Sequence, residues 1–420
     1  MYNRNTSIRL TGTLFVTQSL LSAANIGIAT LLAIIAADLA GESLAGIPST
    51  ITTLSIAIAA LPMGIFMGRF GRRAGLTLSY SLGLFGAIIG IFAVVHGLFW
   101  LLLVSSAVLG FGRAGGEQSR FVAGDLFFEH ERARMIGVIV FAGTMGAVVG
   151  PLLVEPGIWL ATQLNLAENS APWILAAIFS GIATVLVFLL LRPEPLEIAK
   201  IIETEDTSRR KKKRELTDDD NQDGRSIREL LRLPRVQLAV ISMLLSQVVM
   251  VMLMVMTPLH MANHGHSEGS IGFVISAHVL GMFGFSWLTG YFIDRFGRIT
   301  MMIAAAITLI VSAVIAPLGT QLPFLVIGLF LLGLGWNFGY VAGSSLLSDA
   351  LDGAEQTRMQ GANDMLVAGA AALGSFSSGP LFATSGYISI AGVGIVIALL
   401  FIWLVRLLSP ADTEITPDIA

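Results

Sequence analysis

Twelve runs of mostly apolar residues constrain this chain more than any other feature. They lie at about 11–37, 45–67, 74–95, 98–122, 135–157 and 172–191, and again at about 237–260, 270–292, 300–319, 322–348, 360–384 and 387–408. A helix needs roughly 20 apolar residues to cross the hydrocarbon core of a bilayer. Backbone groups find no water there and must pair within their own segment, so runs of this length predict spanning helices. Composition points the same way. Of the 420 residues, 55% are hydrophobic and only 13% charged, against about 25% charged in an ordinary soluble domain. Lipid is the expected solvent for most of the surface. The 45 glycines fit a helical membrane bundle, where small residues permit close helix contact. The first run, behind Arg4 and Arg9, is too long for a signal-peptide core and reads as a spanning helix. With no cysteine in the chain, disulfides, zinc–thiolate sites and thiol catalysis are excluded.

The second half echoes the first. Gly64-Ile65-Phe66-Met67-Gly68-Arg69-Phe70-Gly71-Arg72-Arg73 lines up with Gly290-Tyr291-Phe292-Ile293-Asp294-Arg295-Phe296-Gly297-Arg298. Leu109-Gly110-Phe111-Gly112 matches Leu332-Gly333-Leu334-Gly335, and Arg134-Met135-Ile136-Gly137 matches Arg358-Met359-Gln360-Gly361. Three echoes at nearly one offset indicate a duplicated unit. The expected organisation is a six-helix bundle over 1–192, a charged linker over 193–235, a second six-helix bundle over 236–410 and a tail over 411–420. The linker carries Arg209-Arg210-Lys211-Lys212-Lys213-Arg214 and then Asp218-Asp219-Asp220. Such blocks read as a solvated tether or as a patch for anionic headgroups. Ser226–Arg232 reads as a short amphipathic helix at the membrane surface.

Orientation follows from Lys and Arg. Arg4, Arg9, Arg69, Arg72, Arg73, Arg132, Arg134, the linker, Arg295, Arg298, Arg358 and Arg406 all fall on one side, whereas the short loops on the other side hold none. The positive-inside rule then puts both termini and the linker in the cytoplasm.

These features resemble the major facilitator superfamily over essentially the whole chain: six plus six helices, a long charged inner linker, and a Gly-x-x-x-Asp-Arg-x-Gly-Arg loop after the second and eighth helices. The resemblance implies an all-α integral membrane protein of twelve transmembrane helices in two pseudo-symmetric bundles. It implies a cytoplasmic gate built on Gly64, Arg69, Gly71, Arg72 and Arg73 in the first half, and on Gly290, Asp294, Arg295, Gly297 and Arg298 in the second. The first copy departs from the family by having Gly68 where the acid belongs. The latch is therefore expected through Asp294 and Arg295, with Arg69, Arg72 and Arg73 lacking a local acid. The alternative is that these arginines only enforce topology. Gly146-Ala147-Val148-Val149-Gly150-Pro151 partly matches an element of the family's proton-driven exporters. Physically, Gly146 and Gly150 form a small-residue face and Pro151 bends the helix.

Ionisable groups inside spans are costly and are functional candidates by default. The fourth run holds Arg113, Glu117, Gln118, Arg120 and Asp125. Arg113 and Glu117 share a helical face at i,i+4, and Glu117 lies about 25 Å from Trp100 at 1.5 Å per residue. Proton coupling through Glu117 with Arg113, direct solute contact, and a fixed ion pair all fit. Asp364 and His278 are further proton candidates. Carrying over the family's cavity-lining helices adds Gln18, Asn25, Gln247, Trp336, Asn337 and Tyr340 as candidate solute contacts. Trp336 stands where the first half has Arg113, so one half offers charge and the other an aromatic surface. Met250, Met252, Met254 and Met256 form no single stripe and read as a flexible apolar surface or lipid-facing filler. His260, His264 and His266 cluster after the seventh run but have no cysteine or acidic cluster beside them, so no metal site is expected.

No Gly-x-x-x-x-Gly-Lys-Ser/Thr run occurs, which argues against an ATP engine. The expected protein is no enzyme. It is a proton-coupled secondary transporter of the inner or plasma membrane, exporting small organic compounds, with metabolite uptake as the alternative. A metal-ion exporter and a non-transporting sensor are remoter readings. Its expected partners are lipid, protons and a small-molecule solute, with no nucleic acid. It needs no cofactor beyond the proton gradient and is expected to act as a monomer.

Overall fold

A computed structural model of the chain describes residues 4–202, 204, 225–351 and 353–409. The basic and acidic runs at 209–214 and 218–220 and the tail at 411–420 lie outside the described residues. Twelve helices are long and apolar enough to span a membrane, and no strand occurs among the described residues. We number them α1 (Arg4–Ala40), α2 (Ile47–Phe70), α3 (Arg72–Val95), α4 (Phe99–Gly116, resuming over Ser119–Asp125), α5 (Glu129–Leu152) and α6 (Ala171–Leu190). The second set is α7 (Pro234–Asn263), α8 (Glu268–Phe283, resuming over Ser286–Phe296), α9 (Arg298–Leu318), α10 (Leu322–Ala350), α11 (Gly353–Ser385) and α12 (Tyr387–Leu408).

The duplication is visible in the packing. α3 lies against α4 and α6, as α9 lies against α10 and α12. Both loop echoes end on a glycine with positive φ, +100° at Gly71 and +83° at Gly297, a conformation that side chains other than glycine adopt only with strain. Each glycine lets one helix stop and the next begin at the following residue.

By contacts the chain divides into two compact units. One holds Met1–Ile35 and Ile51–Gln222; the other holds Ala36–Thr50 and Asp223–Ala420. The far end of α1 and the start of α2 thus group with the second half. The Ser375 hydroxyl donates to the Gly46 carbonyl at 2.9 Å, and a Cβ on Gly46 would lie 2.0 Å from the Ser375 carbonyl oxygen. At the same place the Asn263 amide donates to Glu42 Oε1 at 2.9 Å.

Close contact in the first unit runs along α1 and α5. A Cβ on Gly146 would sit 2.0 Å from the Ser19 carbonyl, and one on Gly150 would sit 2.4 Å from that of Ala23. The helix ends at Leu152, just past Pro151, and resumes as Val154–Gln163. In the second unit Met250, Met252 and Met256 are buried, so these methionines fill the bundle rather than face lipid.

The linker re-enters the described chain as an anchored segment. Ser226 and Glu229 form a reciprocal capping box on the turn Ile227–Leu230, satisfying amides at its start. Leu230 is fully buried among Val236, Val240, Met243, Leu347 and Met359, so this turn docks on the neighbouring helices. Arg225 donates from Nε and Nη2 to the two oxygens of Glu355, at 3.2 and 2.7 Å, and its amide adds a third bond at 2.8 Å.

Two predictions follow from this packing. Gly146→Ala should lower stability by about 1–3 kcal/mol through overpacking, whereas Gly137→Ala, with nothing within 4 Å of the new Cβ, should not. Thermal unfolding followed by size-exclusion chromatography in detergent compares them. The second concerns Glu355, whose carboxyl the Arg225 hydrogen bonds hold at about 2 against an ordinary 4.5. A depressed carboxylate stabilises fully above its ordinary value and loses that contribution as pH falls towards the folded value. Protection of the amides across 225–231, corrected for the intrinsic exchange rate at each pH, should therefore fall as pH drops through 4.5 towards 2; a flat protection profile would show that the clasp does not hold the segment.

Candidate functional site

At one end of the first unit the arginine loop is held by distant carboxylates. Arg72 Nη2 meets Asp125 Oδ2 at 2.8 Å, tying the start of α3 to the end of α4. Glu194 Oε1 accepts from the backbone amides of Arg72 and Arg73 at 2.6 and 3.2 Å. These are unpaired amides of the first turn of α3, where an anion is favoured. The acids at this loop come from elsewhere in the chain, Asp125 for the Arg72 guanidinium and Glu194 for the backbone amides. Arg73 packs its guanidinium 6.0 Å from the Phe188 ring centroid and Arg69 lies 5.4 Å from that of Phe70. A Cβ on Gly68 would meet nothing within 4 Å, so an acid there would have fitted. Gly64 lies 3.6 Å from the Gln118 amide by the same measure.

The second unit repeats the arrangement. Arg298 Nη2 meets Asp349 Oδ2 at 2.6 Å, again joining the start of one helix, α9, to the end of the next, α10. Asp349 was not singled out from sequence, although the duplication that pairs Arg72 with Arg298 pointed to it. Asp294 is exposed, and Arg295 donates to the Tyr291 hydroxyl at 3.1 Å rather than to an acid of its own unit. Space beside Gly290 is open.

Within the apolar length of α4, Arg113 Nε donates to Glu117 Oε1 at 2.7 Å, with both side chains more than a third exposed. Sequence reading expected a continuous helix here. The structure interrupts it at Glu117 and Gln118, so the carboxylate sits at a break. The break is braced from both neighbours. Gln118 donates to the Ala60 carbonyl of α2 at 2.9 Å, and the Ser119 hydroxyl donates to Gln18 Oε1 of α1 at 2.9 Å. Gln18 is therefore a buried brace. Asn25 donates back to the Leu21 carbonyl of its own helix at 2.9 Å.

The second unit holds an aromatic cluster instead, with Trp336 buried, Tyr340 half-buried and Phe283 exposed. Trp336 Nε1 donates to Gln247 Oε1 at 2.7 Å, Trp336 stacks on Tyr340 at 4.8 Å, and Phe283 meets Trp336 edge-on at 5.8 Å. Asn337, next along α10, does different work. It is buried, donates to the Met282 carbonyl at 2.6 Å and to the Ser286 hydroxyl at 2.9 Å, and accepts from Thr289. Those groups flank the interruption of α8 at 284–285, so Asn337 supplies bonds that the broken helix lacks. His278 is buried with its Nδ1 donating to the Leu329 carbonyl at 2.9 Å, and its Nε2 has no partner among the described residues. Asp364 is exposed, while its neighbour Asn363 is buried against the Met243 sulfur.

A cavity of about 450 Å³ opens in the first unit beside Phe15, Val16, Leu20, Met145, Val149 and Phe179. Ser19 also borders it, with its hydroxyl directed at the Ala142 carbonyl. Such a cavity offers apolar contact but no convergent polar groups to orient a solute, so the candidate groups are taken unit by unit: the α4 pair in the first and the Trp336 cluster in the second.

A family model for the Major Facilitator Superfamily matches residues 14–267 and 238–419. The chain is 36% identical over 373 residues to YdeG of Bacillus subtilis (strain 168), described as an uncharacterized MFS-type transporter, covering 88% of this chain and 85% of that one. It is 30% identical over 355 residues to the riboflavin transporter RfnT of Brucella anthropi, covering 83% and 84%. Among solved structures, that of a D-xylose–proton symporter has a TM-score of 0.67 at 16% identity, covering 95% of this chain and 97% of that one; likeness at that identity establishes the fold.

The two Arg–Asp ties should contribute comparably and independently. Asp125→Asn and Asp349→Asn should each cost about 1 kcal/mol, as partly exposed ion pairs do. The double variant should lose the sum, because the pairs lie in different units. Thermal unfolding of the three variants measures this, and a charge-swapped Arg72→Asp/Asp125→Arg protein should recover stability relative to either single change.

Proposed function

The chain belongs to the major facilitator superfamily, a membrane transporter and not an enzyme, and on that premise we propose that it couples protons to movement of a small planar organic solute by alternating access. The Arg113–Glu117 pair carries this reading. A charged pair within an apolar span is costly unless it is used, and here it is neither sealed from solvent nor part of a continuous helix. Glu117 bonds Arg113 as a carboxylate, so taking up a proton loosens the pair and releasing it restores the pair. A proton load thus changes how α4 is held at its break, beside the braces from α1 and α2.

The solute class rests on the Trp336, Tyr340 and Phe283 rings with Gln247. Stacked rings favour flat faces, and an amide beside them supplies a hydrogen bond that fixes orientation. The riboflavin transporter relative supports the same class, and uptake is the direction we assign. Export is the second reading, favoured by the Gly146-to-Pro151 element, although the α1–α5 contact gives those glycines a packing role. The arginine distribution supports an inner or plasma membrane location with both termini cytoplasmic. We take the working unit to be a monomer.

Proteoliposomes loaded with a pH dye provide the test. Riboflavin, other planar aromatics, lipophilic cations and sugars are added outside in turn. Luminal acidification with a planar solute is the expected result and marks uptake with protons; luminal alkalinisation would mark exchange and export. Glu117→Gln should reduce solute-linked proton movement to background, and Glu117→Asp should restore part of it. Full coupling in Glu117→Gln would remove this residue from the mechanism.

A further inference from the structure

The end of the second unit opposite the arginine loops carries three histidines outside the candidate site. We propose that His260 and His264 form a two-imidazole site for a borderline transition-metal ion of the Zn²⁺ class. The two residues are one helical turn apart at the end of α7, the i,i+4 spacing by which paired histidines on one helix face bind zinc. Their ring centroids are 4.5 Å apart with the planes tilted by 59°. One ion at about 2.1 Å from a nitrogen of each ring can bridge them at that separation.

The hydrogen bonds prepare the rings for this role. His264 Nδ1 lies 2.8 Å from the His260 carbonyl oxygen. A carbonyl only accepts, so the proton is on Nδ1 and the neutral ring keeps its lone pair on Nε2. Anchoring of the distal N–H by a backbone carbonyl is the usual second-shell arrangement of a metal-binding histidine. His260 is stacked on Tyr387 at 4.7 Å, whose hydroxyl bonds Thr257 at 2.9 Å, so this ring is held by a fixed platform. His266 is engaged differently, its Nε2 donating to the Thr320 carbonyl at 2.6 Å.

The surroundings favour a cation. Glu42 is held by Asn263, the residue before His264, and no Lys or Arg occurs between Arg235 and Arg295 in the sequence. Neutral imidazoles select Zn²⁺, Cu²⁺ and Ni²⁺ over Mg²⁺ and Ca²⁺, which prefer oxygen. Among the described residues no set of three or more His, Cys, Asp or Glu groups is placed to hold an ion. The site therefore has two protein ligands, with water completing the coordination. Sequence reading set these histidines aside because no acidic cluster accompanies them; the anchored tautomer and the Tyr387 platform are what the fold adds.

Purified full-length protein, free of any polyhistidine tag, is titrated with Zn²⁺ and the bound metal counted by equilibrium dialysis. The expected result is one Zn²⁺ per chain, weakened about tenfold or more in His264→Ala and in His260→Ala, retained in His266→Ala, and not displaced by Mg²⁺. His264 is exposed, so its replacement leaves the core intact, and elution volume in size-exclusion chromatography confirms folding. Absence of saturable Zn²⁺ binding in the unaltered protein, or binding unchanged in both His260→Ala and His264→Ala, overturns the proposal.

Discussion

In hydrocarbon a broken helix has no water to bond with, so every interruption must be answered by protein. That constraint organises the polar residues of this transporter. The α8 break is met by Asn337, which reaches a carbonyl on one side and hydroxyls on the other. The α4 break is braced by Gln18 through Ser119 and by Gln118 on Ala60. Buried amides in a membrane bundle invite a solute-binding interpretation, yet Gln18 and Asn337 are taken up by neighbouring helices. The side chains left with chemistry to offer are those beside these braces: the Arg113–Glu117 pair and the Trp336–Tyr340 stack.

Duplication explains why some of this architecture appears twice and some only once. The tie between the start of one helix and the end of the next, Arg72 to Asp125 and Arg298 to Asp349, recurs in both halves. It is a mechanical requirement of each six-helix unit. The halves diverge where function needs asymmetry. Arg113 is answered by Trp336, and Gly68 by Asp294. The missing acid at Gly68 is offset in part by Glu194, which bonds the amides at the start of α3 rather than a guanidinium. One unit carries a charged pair where the other carries an aromatic cluster.

The second unit also holds segments that sequence order assigns elsewhere. Residues 36–50 meet α11 through the Ser375 hydroxyl, a contact that glycine at position 46 makes possible, and meet α7 through the Asn263 amide on Glu42. The returning linker is clamped by the Arg225–Glu355 bonds and by burial of Leu230. In both places a connection is fastened to helices by hydrogen bonds, a buried one at Ser375 and exposed ones at Glu355.

Sequence alone determined the twelve spans, the duplication, the arginine-rich loops and the candidate groups within the membrane. Hydropathy, repeat offset and i,i+4 spacing are local properties, and Arg113 with Glu117 could be paired from spacing alone. Tertiary structure decided what those groups bond to. The acid for Arg72 is 53 residues away, the partner of Trp336 is 89 away and the carbonyl held by Asn337 is 55 away. Helix interruptions at 117–118 and 284–285 were equally invisible; the second is met by Asn337 of a neighbouring helix, which no local pattern indicates. The methionines of α7 show the same division: the apolar run that holds them identified a helix, but only the surrounding helices made Met250, Met252 and Met256 interior. Local pattern specifies an element; which of its faces is buried, and by whom, depends on packing that closes across the whole unit.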